Sequence, residues 1–189
     1  DEAGRGPLAG PVVVSAVILG EEWNESHLLK DSKCLSESER NRLFAIISKE
    51  ALAFQIVIVP EQEIDQLNIL QATLQGMAKA VTQLESKVDY VLVDGNQYPP
   101  LAIPGQAIVK GDQQSSSIAA ASILAKVTRD RMMIELDQVF PEWRFAKHKG
   151  YATQEHRDAI KTYGLTKVHR RSFCKKYMTD DSTVQLSLL

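Results

Sequence analysis

Short β-branched runs alternate along this chain with longer stretches whose apolar residues recur every three or four positions. That alternation restricts it to architectures in which helices cover a sheet. Pro11 to Leu19 (PVVVSAVIL) is continuously apolar and predicts a buried strand. Ser36 and Glu39 form an S-x-x-E capping box, so a helix should follow to about Ala53 with Leu43, Ile46 and Ile47 inward. Phe54 to Val59 reads as the next strand, ended by Pro60. From Ile64 the positions Leu67, Leu70, Leu74, Met77, Val81 and Leu84 predict a long amphipathic helix, interrupted near Asn68. Tyr90 to Val93 and Ala107 to Val109 read as short strands around a loop marked by Pro99, Pro100, Pro104 and Gly105. Ser117 to Phe140 reads as a helix whose inner stripe is Ile118, Ala121, Ala125, Met132, Leu136 and Val139. A further helix is expected from about Thr153 to Tyr163, ended by Gly164.

No internal repeat or linker interrupts the 189 residues, which predicts a single catalytic-sized domain over 1–177 and a flexible tail over 178–189. No apolar run reaches the roughly 18 residues of a membrane span, and a soluble, cytoplasmic protein is expected. Cys34 and Cys174 lie far apart without a C-x-x-C motif, which supports neither a thiolate zinc site nor a disulfide framework.

The formal net charge of −2 conceals a partition. Arg144 through Tyr177 carry ten Lys or Arg against Glu155 and Asp158 alone, a local +8, with His148, His156 and His169 and the aromatic residues Tyr151 and Tyr163 interleaved. A basic, aromatic-containing tract suits a sugar-phosphate backbone. Lys33, Lys147, Lys149, Arg170 and Arg171 are its candidate phosphate contacts; His148 is placed to bind phosphate, move a proton, or serve a structural role through backbone contacts. Ser115, Ser116 and Ser117 are expected to cap the helix that follows.

The acidic residues fall where such an architecture gathers ligands. The chain opens DEAGRGP, with Asp1 and Glu2 running into Gly4, Arg5 and Gly6. Adjacent carboxylates raise one another's pKa unless a cation compensates them, and Mg²⁺ or Mn²⁺ would do so. The glycines permit a tight turn and close backbone approach, and Arg5 offers a planar fork of donors to phosphate. Asp94 ends YVLVD and Asp112 ends AIVKGD, both at the carboxyl ends of strands, the edge where open α/β sheets bind ligands. Hydrolysis of a phosphodiester by two ions roughly 4 Å apart needs such oxygen ligands.

DEAGRGPLAGPVV, DSKCLS, NILQAT, VLVDGN, KGDQQSSSIAAASILAKVTRDRMM, HKGYATQEH and HRRSF occur in that order over nearly the whole chain. Together they resemble the successive motifs of bacterial ribonuclease HII. The resemblance implies a ribonuclease H-like α/β fold, a mixed five-stranded sheet flanked by helices with a helical C-terminal extension. It implies divalent-metal hydrolysis of the RNA strand of RNA/DNA hybrids and of ribonucleotides embedded in DNA, by a monomer. It assigns the metals to Asp1, Glu2, Asp94 and Asp112. The ribose 2′-hydroxyl falls to Gly4, Arg5 and Gly6, and the sugar at the junction to Tyr151. In that family the acidic pair ends a central apolar strand; here it opens the chain, which predicts that the first central strand is missing and that the sequence begins inside the natural protein.

A non-catalytic duplex-binding module on the same fold is the alternative, against which the acidic quartet argues, since pure backbone binding gains nothing from four acids facing phosphates. A nucleotide-binding phosphate loop at GRGPLAG lacks the G-K-[ST] ending. The final residues Gln185, Leu186, Ser187, Leu188 and Leu189 resemble the short peptide by which bacterial replication and repair proteins dock on the sliding clamp, with Gln185, Leu186, Leu188 and Leu189 as the contacts.

Overall fold

The computed structural model describes residues 1–21, 23 and 35–177; Lys33, Cys34 and the clamp-like ending lie outside the described residues. Its strands are β1 (Glu2–Ala3), β2 (Val12–Ile18), β3 (Ala53–Val59), β4 (Val91–Asp94) and β5 (Gly105–Ile108). The helices are α1 (Glu37–Glu50), α2 (Glu61–Leu67), α3 (Ile69–Thr82), α4 (Ser116–Val139), α5 (Phe145–His148), α6 (Gln154–Tyr163) and α7 (Arg171–Cys174).

Each start and stop has a local cause. The Ser36 hydroxyl accepts from Glu39 N while the Glu39 carboxylate accepts from Ser36 N, and the reciprocal box opens α1. The helix stops at Glu50, short of the expected Ala53, because Ala51 is already extended and Ala53 pairs with Ile18. Asn68 takes a positive φ of 69° and its side chain caps the next turn through Leu70 N and Gln71 N. One predicted helix therefore becomes two, α2 and α3. Ser115 caps α4 by accepting from Ile118 N. Gly164, at φ 78°, closes α6.

β2 is the central two-sided strand. Val12, Val14 and Ala16 pack with Ile64, Met77 and Val81 of α2 and α3, whereas Val17 and Leu19 pack with Leu43 and Ile47 of α1 and Ile123 and Leu124 of α4. That parity follows from the two-residue period of a strand. Each fully buried Ile or Leu in these layers contributes roughly 2 kcal/mol. Gly76 lets α3 close on the sheet, since a Cβ there would lie 2.7 Å from Val59 Cγ2 and 3.0 Å from Val14 Cγ2.

The mixed sheet is realised as two ladders. β1, β2 and β3 are antiparallel with Glu2 opposite Val14 and Val12 opposite Val59; β4 and β5 are parallel with Asp94 opposite Ile108. Between the ladders lies a cavity of about 210 Å³ lined by Val14, Val17, Leu19, Met77, Val91 and Val93. The acidic pair sits on a strand of only two residues, and Gly105, expected in the loop, opens β5.

The inner stripe of α4 also differs from the sequence pattern toward its C-terminal end. Ile118, Ala121 and Ala125 are buried as expected, but the stripe continues through Arg129 and Met133; Val139 is 64% exposed. A step of four from Ala125 reaches a charged residue, Arg129, which the fold accepts because its guanidinium donates to the carbonyls of Pro11 and Ala9.

Candidate active site

β1 carries Asp1 and Glu2 alongside β2, held by Asp1 N to Ser15 O at 3.1 Å and Ser15 N to Asp1 O at 2.9 Å. β4 ends at Asp94, and after β5 a left-handed residue, Lys110 at φ 57°, turns the chain into the one-turn helix Gly111–Gln113 that contains Asp112. The two acidic segments are tied together, because Gly111 N donates to Asp94 Oδ1 at 2.7 Å. The amino group of Asp1 is buried, which lowers its pKa, and the carboxylates of Glu2 and Asp94 oppose that shift. The edges bearing the acidic pair and Asp94 therefore face one another electrostatically.

Glu2 presents one oxygen to Arg5 Nη1 at 3.4 Å; its Oε2 is buried with no hydrogen-bond partner. Asp112 is 4% exposed. An orphaned carboxylate oxygen beside further carboxylates is costly without a cation, and an oxygen-only donor set suits Mg²⁺ or Mn²⁺. Among the described residues, however, no three His, Cys, Asp or Glu side chains are already gathered in metal-binding geometry. Among the described residues the acids are not preassembled into a cage.

The glycine loop is built from beneath by two buried arginines. Arg170, fully buried, spends every guanidinium hydrogen on loop carbonyls. Nε donates to Gly10 O at 2.9 Å, Nη1 to Arg5 O at 3.0 Å and Pro7 O at 2.9 Å, and Nη2 to Gly4 O at 2.6 Å and Gly10 O at 2.7 Å. Arg129 donates to Pro11 O at 2.9 Å and Ala9 O at 3.1 Å. Gly4, at φ 94°, lies directly on Arg129; a Cβ there would meet its Nε at 2.0 Å. Burial lowers the pKa of both arginines, Arg170 to about 9, so both stay charged at neutral pH, and the buried Glu61 carboxylate partly offsets the cost.

That clamp fixes where the loop's donors point. In a planar trans peptide the carbonyl of one residue and the N–H of the next are opposed. With the Gly4 and Arg5 carbonyls held inward on Arg170, the N–H groups of Arg5 and Gly6, both exposed residues, face outward. The carbonyl of Gly6 is not among those that Arg170 holds. Tyr151 completes the surface: it is 46% exposed, its ring would be 3.6 Å from a Cβ on Gly6, and the Arg129 guanidinium lies 6.0 Å from its centroid. A cavity of about 350 Å³ opens here, lined by Glu2, Gly4, Arg40, Ser122, Lys126 and Tyr151.

The basic tract separates into surface and interior. Lys147 is exposed and pairs with Glu155 at 2.8 Å, beside Arg144 at 2.5 Å from the same carboxylate. Lys149 folds back onto Ala146 O. The Arg171 side chain is exposed while its N–H donates to Asp65 Oδ2 at 2.8 Å. Arg170, expected on phosphate, is instead an interior residue, and His148 takes the structural, backbone-contacting role among its readings. Arg170 has no donor left, and His148 is buried between Trp143 O at 2.8 Å and Gly150 N at 3.2 Å, with burial lowering its pKa. The sequence reading also missed Arg129; its signal was a charged residue on the buried stripe of α4.

A family model described as Ribonuclease HII matches residues 1–176. A ribonuclease HII of Clostridioides difficile (strain 630) is 52% identical over 178 residues, covering 94% of this chain and 69% of that protein. Among solved structures, the ribonuclease H2 of Pyrococcus horikoshii OT3 superposes with a TM-score of 0.76 at 29% identity, covering 94% of each chain. The ribonuclease HII of Archaeoglobus fulgidus, solved in a complex with PCNA, gives 0.72 at 24% identity over 95% of this chain and 93% of that one.

Proposed function

Because the chain belongs to the ribonuclease HII family, we propose that it is an endoribonuclease that hydrolyses the RNA strand of RNA/DNA hybrids. It also incises DNA 5′ to an embedded ribonucleotide, leaving a 3′-hydroxyl and a 5′-phosphate. The observation that carries this reading is the contact between two unlike surfaces: a carboxylate edge with an orphaned Glu2 oxygen, and next to it a glycine loop with outward N–H groups beside an exposed tyrosine.

Asp1, Glu2, Asp94 and Asp112 would hold the divalent ions. When bound, Mg²⁺ or Mn²⁺ supplies an activated water nucleophile and charge stabilisation at the leaving oxygen. The chain's own residues supply position. The Arg5 and Gly6 amides donate to the ribose 2′-oxygen and the Gly6 carbonyl accepts from its hydrogen, a pairing that deoxyribose cannot make. Tyr151 packs on the neighbouring sugar. Lys33, Lys147, Lys149 and Arg171 contact phosphates and set the duplex register without reading bases. Arg170 acts from the interior, by holding the loop carbonyls. The catalytic unit is one domain over residues 1–177, acting as a monomer in the cytoplasm. No described helix is long and apolar enough to cross a membrane.

The test is incubation with a duplex carrying one ribonucleotide, with and without Mg²⁺, and analysis of the ends. Metal-dependent cleavage with 5′-phosphate product is expected; a 2′,3′-cyclic phosphate would show attack by the 2′-hydroxyl and overturn the mechanism. Docking of the Gln185–Leu189 ending on the sliding clamp rests on the sequence of that ending: Leu186, Leu188 and Leu189 would enter an apolar cleft with Gln185 at its rim, and the tether would raise the enzyme's local concentration. Titration of clamp with a QLSLL peptide against one with Gln185, Leu186 and Leu188 changed to Ala checks it; equal binding of the two would remove it.

A further inference from the structure

Three buried histidines that the reaction does not use are linked beneath Tyr151, and their partners fix every tautomer. Thr166 N donates to His169 Nδ1 at 2.9 Å, so that nitrogen is bare and the His169 hydrogen is on Nε2. His169 Nε2 is 3.1 Å from His156 Nε2, which must therefore accept, leaving the His156 hydrogen on Nδ1. His156 Nδ1 lies 3.0 Å from the carbonyl of Tyr151, which only a donor can satisfy. The same logic gives His148 a bare Nδ1, accepting from Gly150 N, and a protonated Nε2 facing Trp143 O. Both ends of the chain of bonds demand one arrangement, and the middle of it is consistent with both.

The rings themselves cannot turn. His148 stacks on His156 with centroids 4.5 Å apart and planes 15° apart, and Phe145 meets His156 edge-on at 5.5 Å. Burial lowers the pKa of all three, His156 to about 4 and His169 to about 3, which keeps the neutral forms that the bonds require. Tyr151 is held at its N–H by His148 O at 2.9 Å, and its carbonyl accepts from Thr153 N at 2.8 Å on one side and from His156 on the other. Its side chain, by contrast, stands in the open beside Gly6.

We infer that His156 and His169 are positioning residues for Tyr151: a relay from Thr166 through two neutral imidazoles to the Tyr151 carbonyl sets where the tyrosine ring meets the sugar. The inference rests on the assignment of Tyr151 to the sugar made above. It predicts that His156 acts through Tyr151 and through one ring nitrogen. Asn places an amide N–H₂ at the Nδ1 position, whereas Gln places it at Nε2.

A double-mutant cycle tests this, with kcat/KM measured on a duplex containing one ribonucleotide. His156→Gln should cost about tenfold in the parent protein, the scale of one hydrogen bond that orients a binding group, and less than about twofold in a Tyr151→Ala background. His156→Asn, whose N–H₂ is a donor by nature and does not need His169 to set a tautomer, should restore activity to within about threefold of the parent. Equal losses for His156→Gln in both backgrounds, or no rescue by Asn, would overturn the relay while leaving Tyr151 on the sugar. An unimpaired Tyr151→Ala would remove the sugar assignment and the relay's purpose with it. Should His156→Gln fail to fold, ¹⁵N resonances of the unmodified protein decide the matter: His156 protonated at Nδ1 with His148 and His169 protonated at Nε2 is required, and His156 protonated at Nε2 overturns it.

Discussion

At the acidic edge a buried oxygen of Glu2 is left without a hydrogen-bond partner, whereas in the C-terminal interior all six imidazole nitrogens and all five guanidinium hydrogens of Arg170 are engaged. Both regions are rich in ionisable groups, but their bonding is opposite. A buried carboxylate oxygen without a partner, beside other carboxylates, is where a cation would lower the cost of burial. A saturated network marks a scaffold, whose disruption leaves buried groups without partners. Substitutions at the first should therefore change activity and spare stability, and those at the second should cost stability as well.

The largest effect that would sharpen this contrast is in activity. Asp94→Asn keeps an oxygen to accept from Gly111 N, so the turn should hold, but it removes a charge that would compensate a cation. Cleavage should fall by about a thousandfold, with the urea midpoint nearly unchanged. Arg170→Met should lower stability by about 3–5 kcal/mol by orphaning the loop carbonyls, read from urea denaturation. If Asp94→Asn proved the more destabilising of the two, the contrast between open and saturated regions would be broken.

Acid should act on the saturated region. The folded-state pKa values of His156 and His169, about 4 and about 3, lie below the ordinary 6.5, so between these values the unfolded chain binds protons that the folded one refuses. Their burdens are absent above pH 6.5 and grow as pH falls toward 4, where His156 alone costs on the order of 3 kcal/mol. Denaturation midpoints across that range measure it; a flat profile from pH 6.5 to 4 would mean that the histidines ionise freely. The smallest effect is at the surface. Lys147→Ala should shift stability by less than about 0.5 kcal/mol, because its pair with Glu155 is exposed. If Lys147 contacts a phosphate, the variant should also lower the slope of log affinity against log salt by about 1.

What was legible in the sequence was whatever depends on near neighbours. The capping box at Ser36 and Glu39, the break at Asn68 and the cap at Gly164 are set within a few residues, and the structure has each of them. Asp94 at the end of its strand was legible for the same reason; Asp112, expected at a strand end, lies instead in the one-turn helix that follows β5, because the left-handed Lys110 turns the chain first. Arg170 was misplaced, and His148 left open between roles, because a cation or imidazole looks alike in sequence whether its partners are solvent or backbone groups. The partners of Arg170 lie 160 to 166 residues away. Arg129 was closer to being readable: it falls four residues after Ala125 and four before Met133 on one helix face, where a charge is tolerable only with buried acceptors to meet it.

The distance between Arg170 and the loop it holds also orders events during synthesis. All four acids have left the ribosome once Asp112 emerges, but the carbonyls of Gly4, Arg5, Pro7 and Gly10 must wait for Arg170, later by several seconds at ordinary translation rates. In a half-made chain the loop is therefore present without the guanidinium that orders its carbonyls, and it takes its final shape only when the segment bearing Arg170 docks beneath it.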